Sequence, residues 1–213
     1  TDIGGTFTDI VLERGEDRLT AKVLTTPHAP EEAVVEGTRQ VLAEAGIGFA
    51  DLDTFVHGTT LATNAVIERK GARTALIATD GFRDVIEIAD ESRYDQYDIF
   101  IDKPRQLVPR RLRFTVPERI DVMGKVWVEL DVAAVRKVAR QLKAEKVEAV
   151  AVAFIHSYAN GAHEQRVREI LAEEAPGIAV TLSSEVCPEM REYERTSTAV
   201  ANAYVQPLMS GYL

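Results

Sequence analysis

Seven consecutive apolar residues, Ala149-Val150-Ala151-Val152-Ala153-Phe154-Ile155, limit the folds open to this chain more than any other feature. A strand with one solvated face alternates apolar and polar residues, so an unbroken run of this length predicts a central strand buried on both faces. The run Arg73 to Ala78 predicts a second buried strand. Helical patterns stand around them. One runs from Leu61 to Lys70 and is closed by Gly71; one is N-capped by Asp131 and carries Val132, Val135, Val138, Ala139 and Leu142; one spans His163 to Glu174 ahead of a short strand, Ile178 to Leu182. Strand and helix in alternation favour a parallel sheet and an α/β fold. With 46% hydrophobic and 28% charged residues, a chain of 213 residues can bury such a core as one large domain or two small ones.

The opening segment reads differently. Phe7 to Leu12 and Leu19 to Leu24 are β-branched-rich runs flanking the polar stretch Glu13 to Arg18, which predicts a hairpin and makes the sheet mixed, opening on antiparallel strands. The chain begins on Asp2-Ile3-Gly4-Gly5 with almost no strand before the turn, and a strand ordinarily needs about five residues, so the sequence reads as a fragment. Pro30 suits a first helical turn, Ala33, Val34, Gly37, Val41, Leu42 and Ala45 recur at helical spacing, and Gly46 ends that helix. Phe55-Val56-His57-Gly58 predicts a short strand ending in a loop. Gly81 to about Pro117, with Tyr94-Asp95-Gln96-Tyr97-Asp98 and Pro109-Arg110-Arg111, reads as an excursion from the core. A hairpin is expected around Met123-Gly124, and a last helix from about Arg191 to Val205, stopped by Pro207. No repeat, low-complexity tract or flexible linker is visible.

Charge narrows the function. With 25 Lys and Arg against 34 Asp and Glu, the formal net charge of -9 repels phosphate backbones and anionic lipid, which argues against nucleic-acid and membrane-surface binding. No apolar run approaches the roughly 20 residues of a membrane span. The single cysteine, Cys187, excludes an intramolecular disulfide framework and any CxxC metal site, leaving the cytoplasm as the default compartment. It precedes Pro188 and has no basic sequence neighbour, so it reads as an inert thiol.

Three segments carry the ionisable and hydroxyl groups of a site. In Asp2-Ile3-Gly4-Gly5-Thr6-Phe7-Thr8-Asp9, glycines let the backbone approach an anion and turn N–H groups toward it, and Thr6 and Thr8 add hydroxyl donors. A carboxylate beside a phosphate calls for a divalent cation between them, so Asp2 points to Mg²⁺. The same residues also suit a plain Gly-Gly turn whose Asp bonds its own backbone. No Walker lysine or GxGxxG is present, against P-loop and dinucleotide folds. In His57-Gly58-Thr59-Thr60-Leu61-Ala62-Thr63-Asn64-Ala65 a strand ends and a helix begins, the place where α/β sheets bind ligands, although either threonine suits a helix cap. The third, Ser183 to Thr198, reads either as surface ion pairs or as groups facing a cleft, and Asp80-Gly81-Phe82-Arg83-Asp84 as a turn or a cleft wall. The pair His163-Glu164 lacks the second histidine of a HExxH zinc site.

Taken in order, Asp2-Ile-Gly-Gly-Thr-Phe-Thr-Asp9, His57-Gly-Thr-Thr-Leu-Ala-Thr-Asn-Ala65, Glu68-Arg-Lys-Gly71, Gly81-Phe-Arg-Asp84, Pro117-Glu-Arg-Ile120, His156-Ser-Tyr158 and Arg191-Glu-Tyr-Glu-Arg-Thr-Ser-Thr198 resemble the N-terminal region of the hydantoinase A and 5-oxoprolinase family, which includes ATP-dependent acetone and acetophenone carboxylase subunits. The resemblance implies one ribonuclease-H-like half, residues 1–213, of an actin-like ATPase or sugar-kinase fold whose second half lies outside this sequence. It implies ATP and Mg²⁺ as cofactors and phosphorylation of a cyclic amide or ketone-derived oxygen. By that resemblance Asp2 positions Mg²⁺, Gly4, Gly5, Thr6 and Thr8 hold the phosphates, and His57, Thr59, Thr60 and Asn64 face the acceptor. A hydantoinase B-type subunit or domain is the implied partner. The segment at His57 has no carboxylate where sugar kinases of similar fold place their base, which fits an acceptor that is already nucleophilic. The alternatives are a nucleotide-responsive regulatory or assembly module of the same fold, and a small-molecule kinase.

Overall fold

The computed structural model describes residues 1–26, 29–92, 95 and 97–212. The fold is mixed α/β, and the chain divides into two compact units: Thr1–Lys70 joined by the residues from Leu208 onward, and Gly71–Pro207.

In the first unit, β1 (Asp2–Ile3), β2 (Phe7–Arg14), β3 (Asp17–Leu24) and β4 (Gly58–Thr59) form one sheet in the order β3-β2-β1-β4. The expected hairpin is longer than its apolar runs, because the polar stretch 13–18 supplies strand residues and leaves only Gly15-Glu16 as the turn. Gly15 has φ 62°, the conformation that a type II′ turn asks of its first central residue. Thr8 and Ile10 point inward from β2 while Asp9 and Val11 face solvent. Between β3 and β4, α1 (Pro30–Ala45) ends at Gly46 in the left-handed region, as its pattern predicts, and buries Val34, Val41 and Leu42. Gly37 sets its depth on the hairpin: a Cβ there would stand 2.1 Å from Ile10 Cδ1.

Two expectations in this unit need correction. Phe55 to His57 is not a strand; Phe55 and Val56 are exposed and the strand is Gly58–Thr59, the only part in register with β1. The following helix, α2 (Leu61–Ile67), closes before Gly71. Arg69, at φ 58°, takes the left-handed position, its N–H bonded to the Val66 carbonyl and that of Lys70 to the Ala65 carbonyl, the Schellman pairing. Gly71 belongs to the second unit, where its bare Cα admits the Tyr204 ring; a Cβ would stand 2.2 Å from Tyr204 Cε1.

The second unit is built on β5 (Thr74–Thr79), α3 (Val85–Ile88), β6 (Arg113–Val116), the hairpin β7 (Arg119–Ile120) and β8 (Val126–Val128), α4 (Val132–Ala144), β9 (Ala149–Ala153), α5 (Ala162–Glu174), β10 (Ala179–Leu182), α6 (Ser183–Val186) and α7 (Glu192–Tyr212), whose last turn returns to the first unit. Its main sheet is wholly parallel, in the order β10-β9-β5-β6. Both apolar runs are where their composition puts them, β5 and β9 side by side at the centre with every residue buried. The Asp131 carboxylate caps α4 by accepting from Ala134 N–H at 2.9 Å.

The excursion ends earlier than expected. Residues 113–116 are strand β6, and Val108, Leu112 and Val116 join the core. Arg113, only 4% exposed, is anchored at 3.0 Å to the Val108 carbonyl, 2.7 Å to Glu87 and 3.4 Å to Asp84. Of the tyrosine-rich stretch, Tyr94 and Gln96 lie outside the described residues. Pro207 does not stop α7, which continues to Tyr212. A proline removes one N–H and crowds one carbonyl, and the buried stripe Ala199, Val200, Ala203, Tyr204 carries the helix up to it; the division between the units falls there.

Candidate functional site

Strand β1 is two residues long, yet it joins both principal motifs. It is antiparallel to β2, with Asp2 opposite Asp9 and Ile3 opposite Thr8, and parallel to β4, with Asp2 opposite Gly58 and Ile3 opposite Thr59. The carboxyl ends of β1 and β4 therefore open on the same edge, where the Gly4-Gly5 turn leaves one strand and Thr59-Thr60 leaves the other.

The turn is closed by Gly4 N–H on the Phe7 carbonyl at 2.9 Å. A Cβ on Gly4 would meet that oxygen at 3.0 Å, and one on Gly5 would meet Asn64 Nδ2 at 3.3 Å, so the close packing suits glycine at both. Among the described residues the N–H groups of Gly5 and Thr6 have no partner, and Gly5 and Thr6 are exposed. Thr8 is different: it is fully buried, its hydroxyl 3.0 Å from that of Thr25, which donates to the Gly4 carbonyl at 3.0 Å. Thr8 thus braces the turn from beneath. Thr25 does the same work from the end of β3 and carries no sequence signal beyond its hydroxyl.

A row of residues crosses the sheet in register: Gly58, Asp2, Asp9, Lys22. Like charges directly opposite on a sheet repel, and Lys22 relieves this by pairing with Asp9 at 2.8 and 3.1 Å. Asp2 remains exposed and, among the described residues, without an ion pair or hydrogen bond. No group of three or more His, Cys, Asp or Glu able to hold a metal occurs among the described residues. The donors on this edge therefore fit a cation brought in on an anionic ligand, contacted by one carboxylate, rather than a protein cage.

From β4, Thr59 Oγ1 accepts from Leu61 N–H at 3.1 Å, and Thr60 occupies the cap position of α2 without a side-chain cap bond. Thr60 Oγ1 instead donates to the Ile3 carbonyl at 3.2 Å and accepts from Asn64 Nδ2 at 3.1 Å. This chain of contacts ties Asn64 to the strand that carries the glycine turn. His57 is exposed, its Nδ1 2.8 Å from Thr1 Oγ1 and its Nε2 bonded to the hydroxyl of Tyr212. Two grooves of this unit, about 920 and 510 Å³, are lined by none of Asp2, Gly4, Gly5, Thr6, His57, Thr59, Thr60 or Asn64, although Thr1 borders the larger.

The remaining charged motifs are built into the second unit. Glu118 accepts from the Thr79 hydroxyl and contacts His163 Nδ1 at 2.8 Å. The carboxylate of fully buried Glu164 accepts from Phe154 N–H, Ser183 Oγ, and Ser184 N–H and Oγ, all at 2.7–2.9 Å. In the Ser183–Thr198 run, Arg195 is 1% exposed and donates to the carbonyls of Glu189, Met190 and Phe154. Burial lowers its pKa. Arg195 fastens the end of β9, whereas Glu185 with Arg168 and Arg191 with Glu194 are the surface ion pairs expected of this run. Asp84 pairs with Arg110 at 2.8 Å in a turn.

Residues 1–175 match the hydantoinase/oxoprolinase N-terminal region. The chain is 37% identical over its full length to caprolactamase subunit alpha of Pseudomonas jessenii, of which it covers 32%. The crystal structure of the ATP-dependent caprolactamase of that organism superimposes on 98% of the chain with a TM-score of 0.86. Identity is 36% to the acetophenone carboxylase gamma subunit of Aromatoleum aromaticum (98% of the chain, 31% of that protein) and 32% to 5-oxoprolinase 1 of Arabidopsis thaliana (100% of the chain, 19% of that protein). The chain thus spans a third or less of the length of these relatives. By the match over most of its length, the chain belongs to the hydantoinase/oxoprolinase N-terminal region family.

Proposed function

We propose that this chain forms the phosphate-binding wall of an ATP-dependent enzyme that phosphorylates a cyclic amide, or a ketone-derived oxygen, ahead of ring opening or carboxylation. One observation carries the reading: the parallel pairing of β1 with β4 brings an unpaired carboxylate, two amides without a partner among the described residues, and Thr59, Thr60 and Asn64 to one edge, with His57 just before β4. Phosphoryl transfer asks mainly for positioning and charge neutralisation, and these are the residue types that supply them. Gly5 and Thr6 offer N–H donors to the β- and γ-phosphates, with Gly4 shaping the turn and Thr8 bracing it. Asp2 would hold Mg²⁺, which neutralises charge on the phosphates when bound. His57, Thr59, Thr60 and Asn64 orient the acceptor. We read the chain as one ribonuclease-H-like half, with adenine held by another part of the protein and a hydantoinase B-type subunit or domain as partner, in keeping with the subunit names of two relatives. The acidic charge and lone cysteine fit the cytoplasm, and among the described residues no helix is long and apolar enough to cross a membrane.

The test is Mg²⁺-dependent ATP hydrolysis by the complete protein against hydantoins, 5-oxoproline and ketones with bicarbonate. Asp2→Asn should lower turnover by about 100-fold, the scale of losing one preorganised electrostatic contact. Turnover within a few-fold of wild type would remove Asp2 from cation binding.

A further inference from the structure

The last turn of α7 ends beside His57, a histidine separated from it by more than 150 residues. Tyr212 contributes its hydroxyl to Nε2, the two rings lie 5.8 Å apart at 36°, and Phe55 stacks on the imidazole from 6.3 Å at 14°. With Thr1 Oγ1 2.8 Å from Nδ1, both ring nitrogens are engaged and the ring plane is fixed between two aromatic neighbours. An exposed histidine on a loop is ordinarily free to rotate and to exchange tautomers, so this degree of fixation just before β4 calls for a reason.

We propose that Tyr212 is a positioning residue for His57, holding the imidazole in one tautomer and one orientation at the acceptor edge of the site. The inference rests on the reading of that edge given above. Burial, with the nearby charge of Glu31, raises the pKa of the Tyr212 phenol and keeps it protonated. The Thr1 hydroxyl is directed to the Val56 carbonyl at 3.5 Å, so its oxygen accepts a ring proton on Nδ1 and leaves Nε2 to accept from the phenol. His57 then meets an acceptor as a pre-aimed group, and its catalytic reach depends on a residue from the far end of the chain.

Two measurements on the complete protein test this separately. The first needs no activity: carbethoxylation of His57 by diethyl pyrocarbonate, followed by mass spectrometry, with His156 as internal reference. Tyr212→Phe keeps the ring and removes the hydroxyl, and should speed modification of His57 several-fold while leaving His156 unchanged; an unchanged His57 rate overturns the proposal. The second is a double-mutant cycle in single-turnover phosphoryl transfer. Tyr212→Phe should slow transfer about tenfold, as a misaimed group does, with the KM for ATP within about twofold. In a His57→Ala background it should have no further effect; an equal slowing there also overturns the proposal. If His57→Ala alone leaves transfer intact, the acceptor-edge reading fails, whereas the modification result still reports whether Tyr212 holds the ring.

Discussion

Arg69 and Gly71 share out what a single glycine usually does at a helix end. The arginine takes the left-handed backbone and the glycine makes room for an aromatic ring. Their substitutions should therefore move stability in opposite directions. Arg69→Gly removes the steric cost of a Cβ at positive φ and should add about 1 kcal/mol. Gly71→Ala drives a methyl into the Tyr204 ring and should cost about 1–3 kcal/mol. Urea unfolding of the two variants checks both, and equal effects of one sign would contradict the assignment. A glycine after a helical run looks like a cap whichever of these reasons keeps it, which is why the sequence pattern misassigns Gly71. The same limit applied at the site. The Gly4-Gly5 turn was legible because paired glycines mark a turn whatever it binds. Thr8 and Thr6 are equivalent as hydroxyls in the sequence, and only the alternation of β2 decides that one is buried and the other exposed. Tyr212 was hidden behind Pro207, read as the end of its helix.

Among the elements, those defined by long apolar runs matched expectation, and those held by buried charge did not. β6 ends a segment rich in arginine and proline, and its buried Arg113 reaches outward to Glu87 and Asp84 nearer the surface, contacts that no local pattern encodes. The hydrogen bond from Arg110, with the nearby guanidinium charges, holds the Asp84 carboxyl below its ordinary pKa. A depressed pKa contributes stability that is present above the unfolded-state value and lost as pH falls through the folded one. Asp84→Asn should therefore destabilise at neutral pH and flatten the decline of the melting temperature below about pH 4; a parallel decline in both proteins would count against the pair. At the other end of the sheet, Glu164 joins the end of β9 to the start of α6 by accepting four hydrogen bonds. Glu164→Gln turns a donor toward donors and should cost about 2–4 kcal/mol, measurable by the same unfolding experiment.

For the molecule as a whole, core and site draw on different resources. The second unit has β5 and β9 buried across every residue, with α4 and α5 packed together beside the sheet. The first unit gathers its candidate site around β1 and β4, strands of two residues each. β4 is the edge strand of its sheet, and an edge opens at the low end of the stability range, well short of global unfolding. Amide exchange makes this measurable. The N–H of Gly58, bonded to Thr1, and of Thr60, bonded to Ile3, should exchange by local opening, while those of Ala151 and Val152 exchange only when the whole unit unfolds. A ligand that bridges the free amides of Gly5 and Thr6 to Asp2 would close the opening reaction and slow exchange at Gly58 and Thr60 by mass action, leaving β9 untouched. Protection spread evenly over both units, or none at Thr60 with Mg·ATP and the complete protein, would tell against it. A ligand held across β1 and β4 would thus itself stiffen the edge that holds it.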